Sequence, residues 1–291
     1  MRGLVIRGVG GFYFVETQEG IFRAKARGVF KKERNILMIG DEVELQIAKD
    51  EEDSWITEIL PRRNYFQRPP IANIDKLVVV FSISNPEPNF MVIDKMLVTA
   101  ESKGIQPIVC INKADLADEE KIETVRAIYD EVYPTYVTTA ITGESVAEIE
   151  SIIDGSKVAL AGPSGVGKST IVNDLVPGIN METGDISSKT ARGKHTTRHV
   201  EMVKSGDGYI FDTPGFTSLD IDSSIDSSEV GKYYPEMRGL MGTCKFGDCM
   251  HRNEPECAIK NAVASGKISK ARYRTYLGIV EELEKKRYKY E

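Results

Sequence analysis

Gly162-Pro163-Ser164-Gly165-Val166-Gly167-Lys168-Ser169-Thr170 fits the phosphate-loop pattern G-x-x-x-x-G-K-[ST], and its flanks fit the same mechanism. Lys157-Val158-Ala159-Leu160-Ala161 reads as a buried strand, and Ile171 to Val176 as the first turns of a helix that Pro177-Gly178 stops. Glycines let a backbone wrap a phosphate chain with its N–H groups pointing inward. The helix start adds a partial positive charge. Lys168 is positioned to reach the β- and γ-phosphates, and the Ser169 hydroxyl to ligate magnesium.

Working outward, each further motif lies at the end of an expected strand. Asn112-Lys113-Ala114-Asp115 follows the strand Gln106–Ile111. An Asp115 carboxylate can accept from a guanine ring N–H and its exocyclic amine together, a pattern that adenine lacks. Asn112 is expected at the other edge of the base and the Lys113 stem over its face. Thr138-Thr139-Ala140, after the next strand, would support the base by backbone, and Thr139 and Ala140 are counted with the nucleotide site. Asp212-Thr213-Pro214-Gly215 follows Tyr209-Ile210-Phe211, with Asp212 expected to hold magnesium through water and the Gly215 N–H to meet the γ-phosphate. Between lies the polar stretch from Ser187 to Arg198, in which Thr196 or Thr197 would close on magnesium when a γ-phosphate is present. We assign that contact to Thr197. The base reader thus precedes the phosphate loop, the reverse of the usual order, and the same sheet results if the chain is circularly permuted.

The spacing of the remaining segments sets the architecture. Strands at 11–15, 20–24, 42–47 and 54–60 suggest an OB-type barrel over residues 1–68. Phe12, Tyr13 and Phe14 are expected mostly in its core, although with Arg23, Lys25 and Arg27 they could also serve an RNA-binding face. A basic, proline-rich joint, Pro61 to Pro70, is expected to act as a stiff spacer. Residues 71–221 alternate strand and helix, including a helix from Met91 to Lys103 and another from Asp118 to Val132, and read as a doubly wound α/β domain. In 222–291, Cys244-x4-Cys249-x-His251-x5-Cys257 offers three thiolates and an imidazole, a donor set for one closed tetrahedral zinc site. A basic amphipathic helix, 267–291, follows with Tyr273, Tyr276, Leu277, Val280 and Leu283 on one side, a stripe expected to pack. The fold class is therefore α/β: a circularly permuted P-loop GTPase domain between an N-terminal barrel and a C-terminal zinc-binding helical domain.

The chain has 291 residues and a net charge of −6, which argues against indiscriminate nucleic-acid binding. Its charge is segregated, however, with basic ends that could grip phosphate by selected faces. No apolar run reaches membrane-span length and no signal-peptide pattern opens the chain, so a cytoplasmic protein without a membrane partner is expected. Cys110, inside a strand, reads as a small buried hydrophobe.

The order of guanine reader, phosphate loop and Asp-Thr-Pro-Gly, set between a barrel and a Cys-Cys-His-Cys site, resembles the RsgA (YjeQ/YloQ) family of circularly permuted, ribosome small-subunit-dependent GTPases. The likeness spans essentially the whole chain and includes the run Arg192-Gly193-Lys194-His195-Thr196-Thr197. It implies a cytoplasmic monomer that takes GTP and GDP with magnesium, carries one zinc, and binds 16S rRNA of the 30S subunit during late maturation. Phe216 stands where Ras-type GTPases place a water-orienting Gln, and a phenyl ring cannot do that work, so hydrolysis by the isolated chain should be slow. Lys168, Thr197 and His195 are the catalytic candidates. His195 and His199 are alternatives for placing the attacking water, and both can equally be read as RNA-contacting residues. Two other classes compete: a binding scaffold whose nucleotide pocket is structural, and an ATP-using small-molecule kinase. Intact Lys168, Ser169 and Asp212 favour hydrolysis, and Asp115 speaks against ATP.

Overall fold

The computed structural model describes residues 1–26, 36–48, 53–139, 146–176, 200–212, 216, 219–222 and 225–287. They form two compact units: Met1–Leu77 with Ser145–Leu160 and Lys168–Phe216, and Val78–Glu144 with Ala161–Gly167 and Thr217–Glu291.

The first unit opens with five strands, β1 (Arg2–Val9), β2 (Phe12–Thr17), β3 (Gly20–Ala26), β4 (Glu42–Gln46) and β5 (Ser54–Ile59). They pair in the order β1-β2-β3-β5-β4, and β4 returns to β1, closing a barrel without a free edge. Alternate residues turn inward, so Val5, Val15, Ala24, Val43, Leu45 and Ile56 fill the centre. Strand β1 is not apparent in the sequence because Gly3, Gly8 and Gly10 look like turn punctuation. At Gly3 the glycine instead permits close strand packing, since a Cβ there would lie 2.8 Å from the Glu16 carbonyl oxygen. The aromatics expected in the core are half-buried. Arg7 lies 4.1 Å over the Phe14 ring, and Arg23 and Lys25 lie 4.9 and 5.0 Å from that of Phe12. Pleat parity places these rings opposite Val15, outside the barrel.

The joint is folded rather than a bare spacer. Strands β6 (Tyr65–Gln67) and β7 (Pro70–Ala72) form a hairpin in which Phe66 and Ile71 are buried. The Ala72 N–H donates to the Ile39 carbonyl at 2.8 Å, fastening the hairpin to the barrel. Arg62 grips the buried Asp41 with two hydrogen bonds of 2.6 and 2.8 Å.

Strand β8 (Lys76–Ser82) is apolar on both faces, as a covered parallel strand must be. In the second unit it is followed by helix α1 (Phe90–Ser102), which starts where Asn89 accepts from the Met91 and Val92 N–H groups and buries Ile93, Met96, Leu97 and Ala100. Next come β9 (Gln106–Asn112), helix α2 (Glu119–Arg126) and β10 (Thr135–Val137), with β10 parallel to β9. Helix α2 is shorter than its apolar periodicity suggests. Its continuation breaks into turns ahead of Tyr133-Pro134, where proline disfavours helical backbone at the preceding residue.

The first unit resumes with helix α3 (Val146–Ile153), β11 (Lys157–Ala161), helix α4 (Lys168–Leu175), β12 (Glu201–Ser205) and β13 (Gly208–Asp212). β11 runs parallel to β13, β12 pairs antiparallel with β13, and β12 also pairs with barrel strand β1 at Arg7 and Glu201. The second unit ends with helices α5 (Pro235–Arg238), α6 (Ala258–Ala264) and α7 (Lys270–Arg287). The expected stripe of α7 does pack: Tyr276, Ile279, Val280 and Leu283 join Ile259, Ala262 and Ile268 in one cluster, with Tyr273 and Leu277 beside it.

Arg272 of α7 is fully buried. Its guanidinium meets Asp94 of α1 at 2.6 Å and Glu236 of α5 at 2.8 Å, and lies 4.4 Å from the Tyr234 ring centroid. Thr275 also donates to Asp94. Removing one partner from such a pair leaves an uncompensated buried charge. Asp94→Ala is therefore expected to cost about 3–5 kcal/mol, measured by urea unfolding.

Candidate functional site

The second unit brings the base-reading motif and the phosphate loop together. Asn112 ends β9 and is fully buried. Its Nδ2 donates to the Val166 carbonyl at 2.8 Å, and its Oδ1 accepts from Thr138 Oγ1 at 2.9 Å. The amide thus ties the loop to two strand ends, whereas the motif alone would put it at the far edge of the base. Lys113 turns the chain with a left-handed φ of 60° and donates from Nζ to the Asn85 carbonyl at 2.7 Å. The Ala114 N–H meets the Thr138 carbonyl at 3.1 Å. Asp115 is exposed, and its Oδ1 accepts from Thr139 Oγ1 at 2.9 Å, so a carboxylate facing solvent has a fixed orientation.

Two loop glycines are required by geometry. Gly162 has φ 153° and Gly167 φ 98°. A Cβ at Gly162 would overlap the Val80 carbonyl, and one at Gly167 would overlap Asn112 Nδ2. Ser164 and Gly165 stay exposed at the tip, Pro163 is half-buried, and Val166 is buried beneath.

Lys168, Ser169 and Thr170 open helix α4 in the first unit, directly after this loop in the chain. Burial pushes the Lys168 ammonium down to about 8. Asp212 closes β13 in the same unit. Burial raises its carboxyl above the usual range, and Glu201, its cross-strand partner, adds to the shift. Asp212 Oδ1 is buried without a hydrogen-bond partner among the described residues. A buried carboxylate oxygen in that condition fits a hard cation such as magnesium, and the hydroxyl of Ser169, next to Lys168 in the chain, is of the same donor class. Ala140, His195, Thr196, Thr197, His199, Thr213, Pro214 and Gly215 lie outside the described residues.

The zinc candidates converge. One ligand atom from each of Cys244, Cys249, His251 and Cys257 lies within 4.8 Å of the others. Cys244 Sγ is 3.8 Å from Cys257 Sγ, and His251 Nδ1 is 3.5 and 3.4 Å from those two sulfurs. Tetrahedral bonds of about 2.3 Å to sulfur and 2.0 Å to nitrogen require separations of about 3.8 and 3.5 Å, so the cage fits zinc. Backbone partners pin it: Tyr273 donates to the His251 carbonyl at 2.6 Å, and Glu254 accepts from the Met250 and Arg252 N–H groups at 2.7 and 2.6 Å. Glu254 and Tyr273 carry no signal in the spacing that revealed the ligands. Cys110 stands apart, buried, with its thiol pushed up to about 11 by desolvation.

The RsgA GTPase family profile matches residues 59–222, and the RsgA N-terminal domain profile residues 2–56. The chain is 44% identical to the small ribosomal subunit biogenesis GTPase RsgA of Caldanaerobacter subterraneus subsp. tengcongensis, over 99% of each chain. It is 38% identical to the protein of the same name from Alkaliphilus metalliredigens, over 98% of this chain and 99% of that one. Among solved structures, YjeQ from Thermotoga maritima aligns with a TM-score of 0.85 at 34% identity, covering 97% of this chain and 98% of that one. YloQ, a circularly permuted GTPase, aligns with a TM-score of 0.82 at 32% identity, covering 98% of this chain and 95% of that one. The fold has the expected permuted order, with a closed N-terminal barrel and a zinc-competent C-terminal cluster.

Two outcomes follow from the site chemistry. To attract phosphate Lys168 must be charged, and burial pushes its ammonium down to about 8. Affinity for fluorescent GDP should hold below pH 7 and fall as pH rises through 8, approaching about tenfold per unit, whereas a solvated lysine would keep it level over that window. Chelating zinc, or Cys257→Ser, should abolish the cooperative unfolding of the C-terminal cluster, read by hydrogen exchange at α6 and α7. The bound ion supplies ~10–16 kcal/mol in comparable small sites.

Proposed function

The chain belongs to the RsgA GTPase family of GTP hydrolases, and on that premise we propose that it turns over GTP while seated on the small ribosomal subunit, late in that subunit's maturation. The names of its relatives, small ribosomal subunit biogenesis GTPases, support the setting. The single observation that carries the nucleotide reading is the bond from Asn112 Nδ2 to the Val166 carbonyl, which fixes the base reader against the phosphate loop inside one compact unit.

In this reading Asp115 accepts from the guanine edge, held for it by Thr139. The Lys113 stem covers the base, and the backbone near Ala114 and Ala140 supports it. Gly162 to Gly167 wrap the phosphates, Lys168 meets the β- and γ-phosphates, and Ser169, Thr170 and the N–H groups of the helix start complete the cradle. Ser169, Asp212 and Thr197 would hold magnesium, which when bound neutralises charge developing on the transferred phosphoryl group. Gly215 meets the γ-phosphate, and His195 places the attacking water. Phe216 cannot assume that task, because its ring is buried against Phe66. Basal turnover is therefore slow, and the subunit accelerates it. Segments 1–68 and 222–291, which flank the GTPase segment 71–221 in the chain, grip 16S rRNA, and the protein acts as a cytoplasmic monomer.

The test is single-turnover phosphate release with and without purified small subunits. Subunits should raise the rate by about 10³ or more, and Lys168→Ala should lower it by about 10²–10³. Stimulation should fall steeply as salt rises. Equal release by wild type and Lys168→Ala would overturn the enzymatic reading in favour of a scaffold. An unchanged stimulated rate in His195→Ala would remove that residue from the mechanism.

A further inference from the structure

The segment that joins β8 to α1, from Ile83 to Asn89, passes beside the base-reading motif, and both belong to the second unit. Lys113 makes the contact between them: its Nζ donates to the Asn85 carbonyl at 2.7 Å. Both residues hold left-handed backbone, with φ 60° at Lys113 and 48° at Asn85. Asparagine is among the few residues other than glycine that visit this region readily, and β-branched residues almost never do. The Asn85 side chain is exposed, and the backbone conformation sets where its carbonyl points.

The loop that presents this carbonyl is held on both sides of it. Before Asn85, the Ile83 N–H donates to the Asn112 carbonyl at 3.0 Å, so the loop starts from the strand end that carries the base reader. The Ser82 hydroxyl donates to the Ser84 carbonyl and accepts from the Ser84 N–H at 3.3 Å, closing a tight turn. After Asn85, Glu87 accepts from Ser84 Oγ at 3.2 Å and from Lys121 of α2 at 3.1 Å. Lys121 also donates to Ser84 Oγ at 2.8 Å. Its ammonium holds the Glu87 carboxyl below the usual range. One cation thus bridges residues 84 and 87, which flank the acceptor at 85. Each of these bonds lies near the surface and is weak alone. Together they leave the loop little freedom to withdraw its carbonyl from Lys113.

We infer that Asn85 is a positioning residue for nucleotide binding, acting through Lys113, and that the β8–α1 loop is a wall of the nucleoside pocket. This rests on the reading that the Lys113 stem covers the base while Asp115 reads its edge. A lysine stem is flexible, and pinning its ammonium in advance removes rotamer freedom that would otherwise be lost on binding. GDP and GTP present the same base face, so the effect falls equally on both. It does not act on the choice of base, which the Asp115 carboxylate makes.

The experiment measures release and affinity of fluorescent GDP and of a non-hydrolysable GTP analogue, using the full chain with magnesium. The variants are Asn85→Val, Asn85→Gly, Lys121→Ala, Lys113→Ala, and the first and third combined with Lys113→Ala. Valine cannot hold the left-handed backbone, whereas glycine can. Asn85→Val should weaken both nucleotides about five- to tenfold, and Asn85→Gly should stay within about twofold of the wild type. Lys121→Ala serves even if Asn85→Val unsettles the fold, and should cost about two- to fivefold. On the Lys113→Ala background neither change should add a loss. No loss in Asn85→Val or Lys121→Ala, an equal loss in Asn85→Gly, or additive losses on the Lys113→Ala background would overturn it. Asp115→Asn separates the loop from the base reading it serves. Xanthine carries an acceptor where guanine has its exocyclic amine, so an amide at 115 should move the preference from GDP to xanthosine diphosphate. If the preference moves while the Asn85 and Lys121 variants bind as the wild type does, only the role of the loop falls. If it does not move, the base reading by this motif falls, and this inference with it.

Discussion

The contact that holds the Asn112–Asp115 motif against the phosphate loop is the approach of Asn112 to the loop backbone. It requires that residue 167 have no side chain, because any Cβ there would occupy the position of Asn112 Nδ2. It also requires the amide itself. Without the donor, the Val166 carbonyl would be left buried and unpaired, at a cost of about 1–3 kcal/mol. Thr138, bonded to the amide oxygen, extends the tie to the next strand end. Three segments far apart in sequence are thereby set in register by two hydrogen bonds and one missing methyl group. This is why the reversed order of motifs is tolerated: the contact constrains positions in space and is indifferent to which segment the chain delivers first.

The C-terminal segment meets a different constraint. Its helices are short or strongly charged, and a small cluster of apolar side chains rarely holds a segment together by itself. Two polar centres compensate. The cysteine–histidine cage closes the loops ahead of α6, and Tyr273 and Tyr276 of α7 donate to carbonyls inside those loops. The second centre is Arg272, which joins α7 to α1 and α5 through two carboxylates and a tyrosine face. Replacing such a buried pair by apolar residues is often neutral for stability, whereas separating its partners strands buried charge, so the pair penalises dockings of α7 that part Arg272 from Asp94.

Much of this is legible in the sequence, and the reasons are physical. The phosphate-loop pattern, the Asn112–Asp115 motif and the zinc-competent cluster are short and chemically constrained, so their residue types and spacing can be read without knowledge of packing. The stripe on α7 is legible because a 3.6-residue apolar period sustained over many turns matches one face of a helix and does not match the two-residue period of a strand. Strand β1 is hidden because its glycines serve strand contact, which local reading takes for turns. The outward aromatics of β2 are misjudged because residue type favours burial, while pleat parity, fixed by Val15, turns them away from the core. Asp94, Arg272 and Glu236 cannot be paired from sequence, since no periodicity links residues 94, 236 and 272. The same holds for Asn112, whose motif suggests the base while its three-dimensional partner is a loop carbonyl.

The permuted order also has a consequence for the N-terminal barrel. In the chain, the residues after the phosphate loop lead on to the segment that carries the cysteine–histidine cluster. Within the first unit, however, β12, the strand that begins just beyond residue 200, pairs with β1 of the barrel, with Arg7 opposite Glu201. Glu201 in turn stands opposite Asp212 on β13 and raises its carboxyl. Directly opposed residues in antiparallel strands share a face, so Arg7, Glu201 and Asp212 form one cross-strand row. The row links the end of β13 to barrel strand β1 through one residue of β12. The buried rings of Phe211 and Phe216 supply a second, apolar connection to the same corner. With these two connections the barrel is structurally continuous with the strand that ends in Asp212.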